Sequence, residues 1–95
     1  MSDFRIEKDS MGEVKVPAKA YYAAQTQRAI DNFPVSGIRF SPEFIQAVGY
    51  VKKACAETNA ELGLLDKDLA KVIVAACEEV ISGELYEHFP VDIFQ

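Results

Sequence analysis

The sequence predicts a mainly α-helical fold, with a short N-terminal β-hairpin or extended arm followed by three helices. Two observations carry this reading. Apolar residues recur at steps of three and four in three separate stretches, each opened or closed by a capping residue. Only the first residues alternate with period two, on either side of a turn signal. At 95 residues, of which 49% are hydrophobic and 26% charged, the chain suits one soluble globular domain with little stability to spare. The expected divisions are an arm over 1–17, a helical region over 18–83 and a loop and tail over 84–95, all in a single domain spanning 1–95.

In the arm, Phe4, Ile6 and Lys8 fall on one side, and Arg5 and Glu7 on the other. Asp9-Ser10-Met11-Gly12 reads as a turn, and Glu13 to Val16 alternates again. Two strands are marginal alone, so the arm is expected to lean on the helices or to be partly mobile. Pro17, with its fixed φ and missing N–H, is expected to open the first helix, over 18–32. There Tyr22, Thr26, Ala29, Ile30 and Phe33 form one stripe, and Pro34 and Gly37 end the helix. The second helix, over 42–61, has Ser41 as N-cap, Pro42 at its first position and Glu43 facing the positive end of the dipole. Phe44, Val48, Val51, Cys55, Thr58 and Leu62 form a heptad-like seam expected to pack on another helix, and Gly63 closes the element. The third helix, over 67–82, starts after Asp66 and carries Leu69, Val72, Ile73, Ala76, Val80 and Ile81 as its apolar stripe, up to Gly83. After a charged loop, Phe89 to Gln95 reads as an extended apolar tail. Natural termini tend to be polar and frayed, so an end inside this stretch is expected to be a cut in a longer protein.

Charge and composition remove several function classes. The net charge is −5 and the basic residues are scattered, with Lys52-Lys53 only a dipeptide, so no phosphate-binding patch for nucleic acid forms. The apolar run Val72 to Cys77 is too short to span a membrane. The first residues lack the apolar core of a secretory signal. A cytoplasmic location follows as the expectation, with Cys55 and Cys77 as small buried core residues in a reducing compartment.

The inventory of reactive groups is thin. His88, the only histidine, stands four residues after Glu84 and next to Glu87, but no third or fourth ligand has matching spacing, so a solvated loop histidine is expected and no metal site. Glu57 and Glu61 lie off the apolar seam, as a solvated face does. Ser10, Ser36, Ser41 and Ser82 have the neighbours of turns and caps rather than of nucleophiles. The exception is the run Gln25-Thr26-Gln27-Arg28 in an otherwise small-residue segment. A guanidinium can clamp a carboxylate with two parallel bonds, so these residues either touch substrate or tie the helix to neighbouring loops. The second reading is preferred, because a lone Arg is a weak site signal.

Those residues also carry a family resemblance. Arg5 to Val14, then Val16-Pro17-Ala18, resembles the opening of the fumarase and aspartase family. Tyr21-Tyr22-Ala23-Ala24-Gln25-Thr26-Gln27-Arg28-Ala29 resembles its Tyr-Tyr-Gly-Ala-Gln-Thr-Gln-Arg-Ala signature, and Asn32-Phe33 and Phe89 to Gln95 also match, in the family's order. Ala23 departs from the signature's Gly. Ala is the better helix former by up to about 1 kcal/mol, so the change is tolerable where no backbone approaches closely. The Gln-Thr-Gln-Arg form resembles fumarases, whereas aspartate ammonia-lyases tend to read His-Thr-Leu-Arg. The third helix, with Ile73, Ala76, Cys77 and Val80, resembles both.

The resemblance implies the N-terminal domain of a helical lyase that hydrates fumarate reversibly to malate, without cofactor, as a homotetramer built on long central helices. It also implies that the catalytic base, acid and carboxylate-binding donors lie in later segments, the first just after Gln95. No catalytic residue of the family therefore transfers to this chain, which alone is expected to be inactive. Gln25, Thr26 and Arg28 are expected to brace the active-site loops. The alternatives are an aspartate ammonia-lyase of the same family, or a non-enzymatic helical interaction module.

Overall fold

The computed structural model describes residues 3–95, so residues 1 and 2 of the expected arm lie outside the described residues. The elements run β1 (Phe4–Asp9), β2 (Gly12–Pro17), α1 (Ala24–Asn32), α2 (Pro42–Glu61) and α3 (Lys67–Ile81), with one 3-10 turn at Tyr86–His88. Three helices and a two-stranded antiparallel hairpin match the expected element order. The chain forms two compact units. One runs through the chain to Phe40 and takes in His88–Gln95, and the other is Ser41–Glu87.

In the first unit, β1 and β2 pair from Phe4↔Pro17 to Asp9↔Gly12. Gly12 has a φ of 110°, which an L side chain rarely adopts, so the two-residue turn requires glycine there. The hairpin packs on α1 with an unusual orientation. Phe4 and Ile6 are more than half exposed, while Arg5, Glu7 and Asp9 of the same strand face inward with Val14 and the fully buried Val16. The alternation was legible, but which face turns inward was not, because the inward face of β1 is the charged one.

The first helix is shorter than expected. Pro17 does not open it; Pro17 ends β2, paired with Phe4, and Ala18 extends the ladder by donating to the Asp3 carbonyl. Helix α1 starts only at Ala24. Residues 18–23 form a strap in which the carbonyls of Ala18, Ala20 and Tyr22 are taken by a long-range donor, the Arg5 guanidinium, rather than by a helix ladder. Tertiary hydrogen bonds thus override local propensity. Tyr22 leaves the expected stripe, and Ala23 is the N-cap rather than an interior residue, with a φ of −127° that any residue adopts. No glycine is needed there.

The second unit is an antiparallel hairpin of α2 and α3 whose ends follow the sequence closely. The Ser41 hydroxyl accepts from the Phe44 N–H at 3.2 Å, and the Asp66 carboxylate from the Leu69 N–H at 3.0 Å. At the other end of α2, Gly63 (φ 75°) donates to the Ala60 carbonyl, and Leu64 to that of Asn59. This paired arrangement satisfies two of the last carbonyls of the helix.

The packed faces differ from those expected. Helix α2 meets α3 through Ile45, Gly49 and Ala56, opposite Ala70 and Cys77, with Ile73, Val80 and Ile81 half-buried beside them. The seam Phe44, Val48, Val51, Cys55, Thr58 and Leu62 is exposed, as are Leu69, Val72 and Ala76 of the expected α3 stripe. The cause is size. Gly49 lets the backbones approach so closely that a Cβ there would stand 2.9 Å from Ile81 Cγ1 and 3.4 Å from the Cys77 carbonyl. Periodicity found the bulkier stripe, whereas contact forms where small residues permit close approach. Cys55, expected to be buried, is therefore exposed, and Cys77 is buried. Gln46 donates to the Ile81 carbonyl at 2.9 Å, and Lys53 pairs with Glu78 at 3.3 Å. Among the described residues no helix is long and apolar enough to cross a membrane.

Candidate functional site

The polar residues of the first unit gather into three clusters, each centred on one charged side chain. The first centres on Asp9, at the hairpin turn. Its carboxylate accepts from the Met11 N–H at 2.9 Å, which fixes the turn locally. Across from it, Arg28 of α1 donates from Nε to one oxygen at 2.8 Å and from Nη2 to the other at 2.9 Å, and Nη2 also reaches the Gly12 carbonyl at 3.2 Å. Gln25, one helical turn earlier, donates to the same carboxylate at 2.7 Å. The bond from Arg28, more than any other contact, holds the Asp9 carboxyl below the usual carboxylate range, and Asp9 in turn raises the Arg28 pKa.

The run Gln25-Thr26-Gln27-Arg28 thus divides by helix face. Gln25 and Arg28 reach the hairpin. Gln27 donates to Asp31 at 3.0 Å along the helix, and its Oε1 is buried with no hydrogen-bond partner among the described residues. Thr26 is half-buried on another side of α1.

The second cluster centres on Arg5, pointing inward from β1. It pairs with Glu7 at 2.6 Å. Its Nη1 is shared among the carbonyls of Pro17, Ala18 and Ala20 at 2.8–3.1 Å, and Nη2 donates to that of Tyr22 at 2.6 Å. One planar fork thus gathers the strap that leads into α1. The next strap residue, Tyr21, donates its N–H to His88 Nδ1 at 3.1 Å, and the two rings stack with centroids 4.2 Å apart. His88 is therefore an engaged structural residue rather than a solvated loop histidine. Its Nδ1 acts as an acceptor, so that nitrogen is unprotonated in this arrangement.

The third cluster centres on Asp92, which is 9% exposed. Its carboxylate accepts from the N–H groups of Ser36, Gly37 and Phe94 at 2.8–2.9 Å, and from the Ser36 hydroxyl. Arg39 and Asp92 form an antiparallel bridge, Ile93 donates to the Ile38 carbonyl, and Arg39 donates to that of Phe89. The Phe94 N–H, then the Ser36 and Gly37 groups, hold the Asp92 carboxyl at about 2, against a burial effect that pushes it up.

Sequence reasoning singled out Gln25 and Arg28 but not their partner Asp9, which read only as a turn residue. It gave Arg5 and Asp92 no role beyond their place in the blocks that carry the resemblance. The available signal was an inward charged position on a strand otherwise alternating with apolar residues. Asp92, in an apolar tail, stood out only as a charge among hydrophobic neighbours. None of the three clusters pairs a free base with an acid poised for proton transfer; each is a carboxylate or guanidinium saturated by fixed partners. Among the described residues no group of three or more His, Cys, Asp or Glu is arranged to hold a metal ion.

A family model described as lyase matches residues 12–95. The chain is 59% identical over 93 residues to a class II fumarate hydratase of Halobacterium salinarum, covering 98% of this chain and 20% of that protein. It is 53% identical, over the same length and shares, to a class II fumarate hydratase of Corynebacterium glutamicum. Among solved structures, a recombinant class II fumarase from Schistosoma mansoni superposes with a TM-score of 0.88 at 35% identity, over 98% of this chain and 20% of that one. A fumarate lyase:delta crystallin from Brucella melitensis bound to cobalt gives 0.85 at 42% identity, over 98% and 21%. The chain thus spans about a fifth of the length of these relatives.

Proposed function

The chain belongs to the lyase family, and from that premise we propose that it is the N-terminal domain of a fumarate hydratase, which adds water reversibly across fumarate to give malate. The observation that carries this reading is the 59% identity, over 93 residues of the chain, with a class II fumarate hydratase. We place the parent protein in the cytoplasm as a homotetramer that works without a cofactor. Hydration needs a base for the carbon-bound proton, donors for the carboxylate-stabilised intermediate and an acid for the departing hydroxyl. These groups belong to the remaining four-fifths of the relatives' length.

The part taken by this chain is placement. Gln25, Thr26 and Arg28 brace the active-site loops rather than transfer protons. Support comes from chemistry and geometry together. Guanidinium stays protonated and is a poor base, and two nitrogens of Arg28 are already engaged by Asp9. Arg28 and Gln25 join α1 to the hairpin turn, so that a rigid frame forms from elements with little apolar burial of their own.

A chimera tests the reading. This chain replaces the corresponding fifth of the Corynebacterium glutamicum enzyme, and hydration of fumarate is followed by the loss of its ultraviolet absorbance. Activity on fumarate with none on aspartate is the expected result. A folded tetramer without activity on fumarate would overturn it. The 95-residue chain alone is expected to be inactive.

A further inference from the structure

Tyr21 and His88 tie together two stretches of the first unit that lie 67 residues apart in the chain. Two other amides of the strap stay close to the hairpin: Ala18 donates to the Asp3 carbonyl and Ala20 to that of Pro17. The Tyr21 N–H instead reaches His88 Nδ1 at 3.1 Å. The imidazole lies nearly parallel to the phenol ring, at 12° and 4.2 Å between centroids. A ring nitrogen accepts a hydrogen bond only while it carries no proton. Imidazole is also the side chain that ordinarily gains a proton between about pH 5 and 8. The contact therefore has two states in that range. The strap leads directly into α1, so this distant anchor steadies the approach to Gln25 and Arg28.

We propose that the Tyr21–His88 contact is a pH-sensitive latch, closed while His88 is neutral and released when Nδ1 takes up a proton. Protonation sets N–H against N–H, so the hydrogen bond is lost and the two donors repel. The stack is not lost with it. A cation within about 6 Å of an aromatic centroid, over the ring face, is attracted by the ring quadrupole, so the imidazolium stays on Tyr21. Release is thus confined to the strap backbone and requires no unpacking. The strap remains anchored through the Ala20 and Tyr22 carbonyls, which Arg5 holds. Titratable groups close to the contact in chain or in space are of both signs. Glu84, Tyr86 and Glu87 precede His88, Lys19 lies on the strap, and the Arg5 guanidinium is bonded on both sides of Tyr21. Acidic and basic groups act on the ring in opposite senses, whereas the bond from Tyr21 exists in only one protonation state.

Hydrogen exchange followed by magnetic resonance on the 95-residue chain, at about pH 8 and about pH 5, tests the latch. Exchange is read as protection relative to the unstructured rate at the same pH, and the His88 ring protons report its protonation. Protection of the Tyr21 amide should fall by roughly tenfold as those signals titrate, the scale of one lost hydrogen bond. The Ala20 amide, bonded to Pro17, should keep its protection. His88→Asn and His88→Ala do not titrate, so in each of them Tyr21 protection should be the same at both pH values, and in His88→Ala it should be low. Tyr21 protection that stays unchanged while His88 gains its proton overturns the proposal, as does a ring that stays neutral throughout. A fall shared equally by Ala20 also overturns it, since that would be a general opening of the strap. So does a fall that persists in His88→Asn, which would place the responding proton elsewhere. If the variants do not fold, the comparison of Tyr21 with Ala20 in the unaltered chain decides alone.

Discussion

Arg28 and Asp9 meet fork to carboxylate across the hairpin turn, with two parallel bonds of 2.8 and 2.9 Å. Arg28→Lys keeps the charge and loses one of the two bonds, so α1 and the turn are free to shift against each other. In the chimeric enzyme this variant should lower turnover by roughly tenfold to a hundredfold, the scale expected when catalytic groups move by about 1 Å. The pH–rate profile should keep its shape, because no titrating catalytic group changes. Loss of one limb of the profile would instead make Arg28 a direct modulator of the acid or base, and unchanged turnover would reduce it to a surface contact.

Arg5 organises the strap before α1 by donating to four backbone carbonyls, and its removal leaves them to water. Arg5→Ala should destabilise the first unit by about 2 kcal/mol, and Arg5→Lys by about 1 kcal/mol, since an ammonium reaches fewer of the acceptors. Hydrogen exchange at the Tyr21 amide reports this locally, because that N–H is bonded to His88 across the strap. Equal protection in all three proteins would contradict the assignment.

Asp92 gives the chain a defined response to acid. Its folded pKa of about 2 lies below the ordinary 3.8, so the stability it contributes is whole above about pH 4 and is lost as pH falls through about 2. The amide resonances of Ser36, Gly37 and Phe94 should titrate together with a midpoint near 2 in a magnetic-resonance series. A midpoint near 4 would mean that the carboxylate is solvated. Asp92→Asn should remove the shared titration and lower the thermal midpoint, since an amide nitrogen would then face backbone donors.

Gly49 is the closest approach in the helical hairpin. Gly49→Ala gains up to about 1 kcal/mol in helix propensity, but its Cβ must displace the stiff, β-branched Ile81, an overpacking cost of about 1–3 kcal/mol. The expected net effect is a loss of about 1 kcal/mol in urea unfolding. Gly49→Val, with two further methyl groups and poorer propensity, should cost about 3 kcal/mol. An Ala variant more stable than the parent would show that Ile81 yields freely.

What the sequence disclosed and what it hid divide along physical lines. The limits of α2 and α3 were legible because Ser41, Asp66, Gly63 and Gly83 act through their immediate neighbours. The start of α1 was not, since it depends on Arg5, a dozen or more residues away, taking the strap carbonyls. The packed face of α2 was hidden because Phe44 and Val51 outweigh Gly49 in any apolar pattern, although the close approach is made by the glycine. Within the candidate site, Arg28 and Gln25 could be singled out from their run. Asp9 and Asp92 could not, because a carboxylate's partners are set by folding rather than by spacing.

The inward charge of β1 has a thermodynamic consequence. The hairpin is held to its unit largely by ionic and amide contacts, through Arg5 and Asp9, while Phe4 and Ile6 already lie in water. Releasing it uncovers little apolar area beyond Val14 and Val16. Local opening of the arm should therefore carry a small heat-capacity increment and a shallow denaturant slope, so its open population should change gradually with temperature, without the steep rise seen when a hydrophobic core melts.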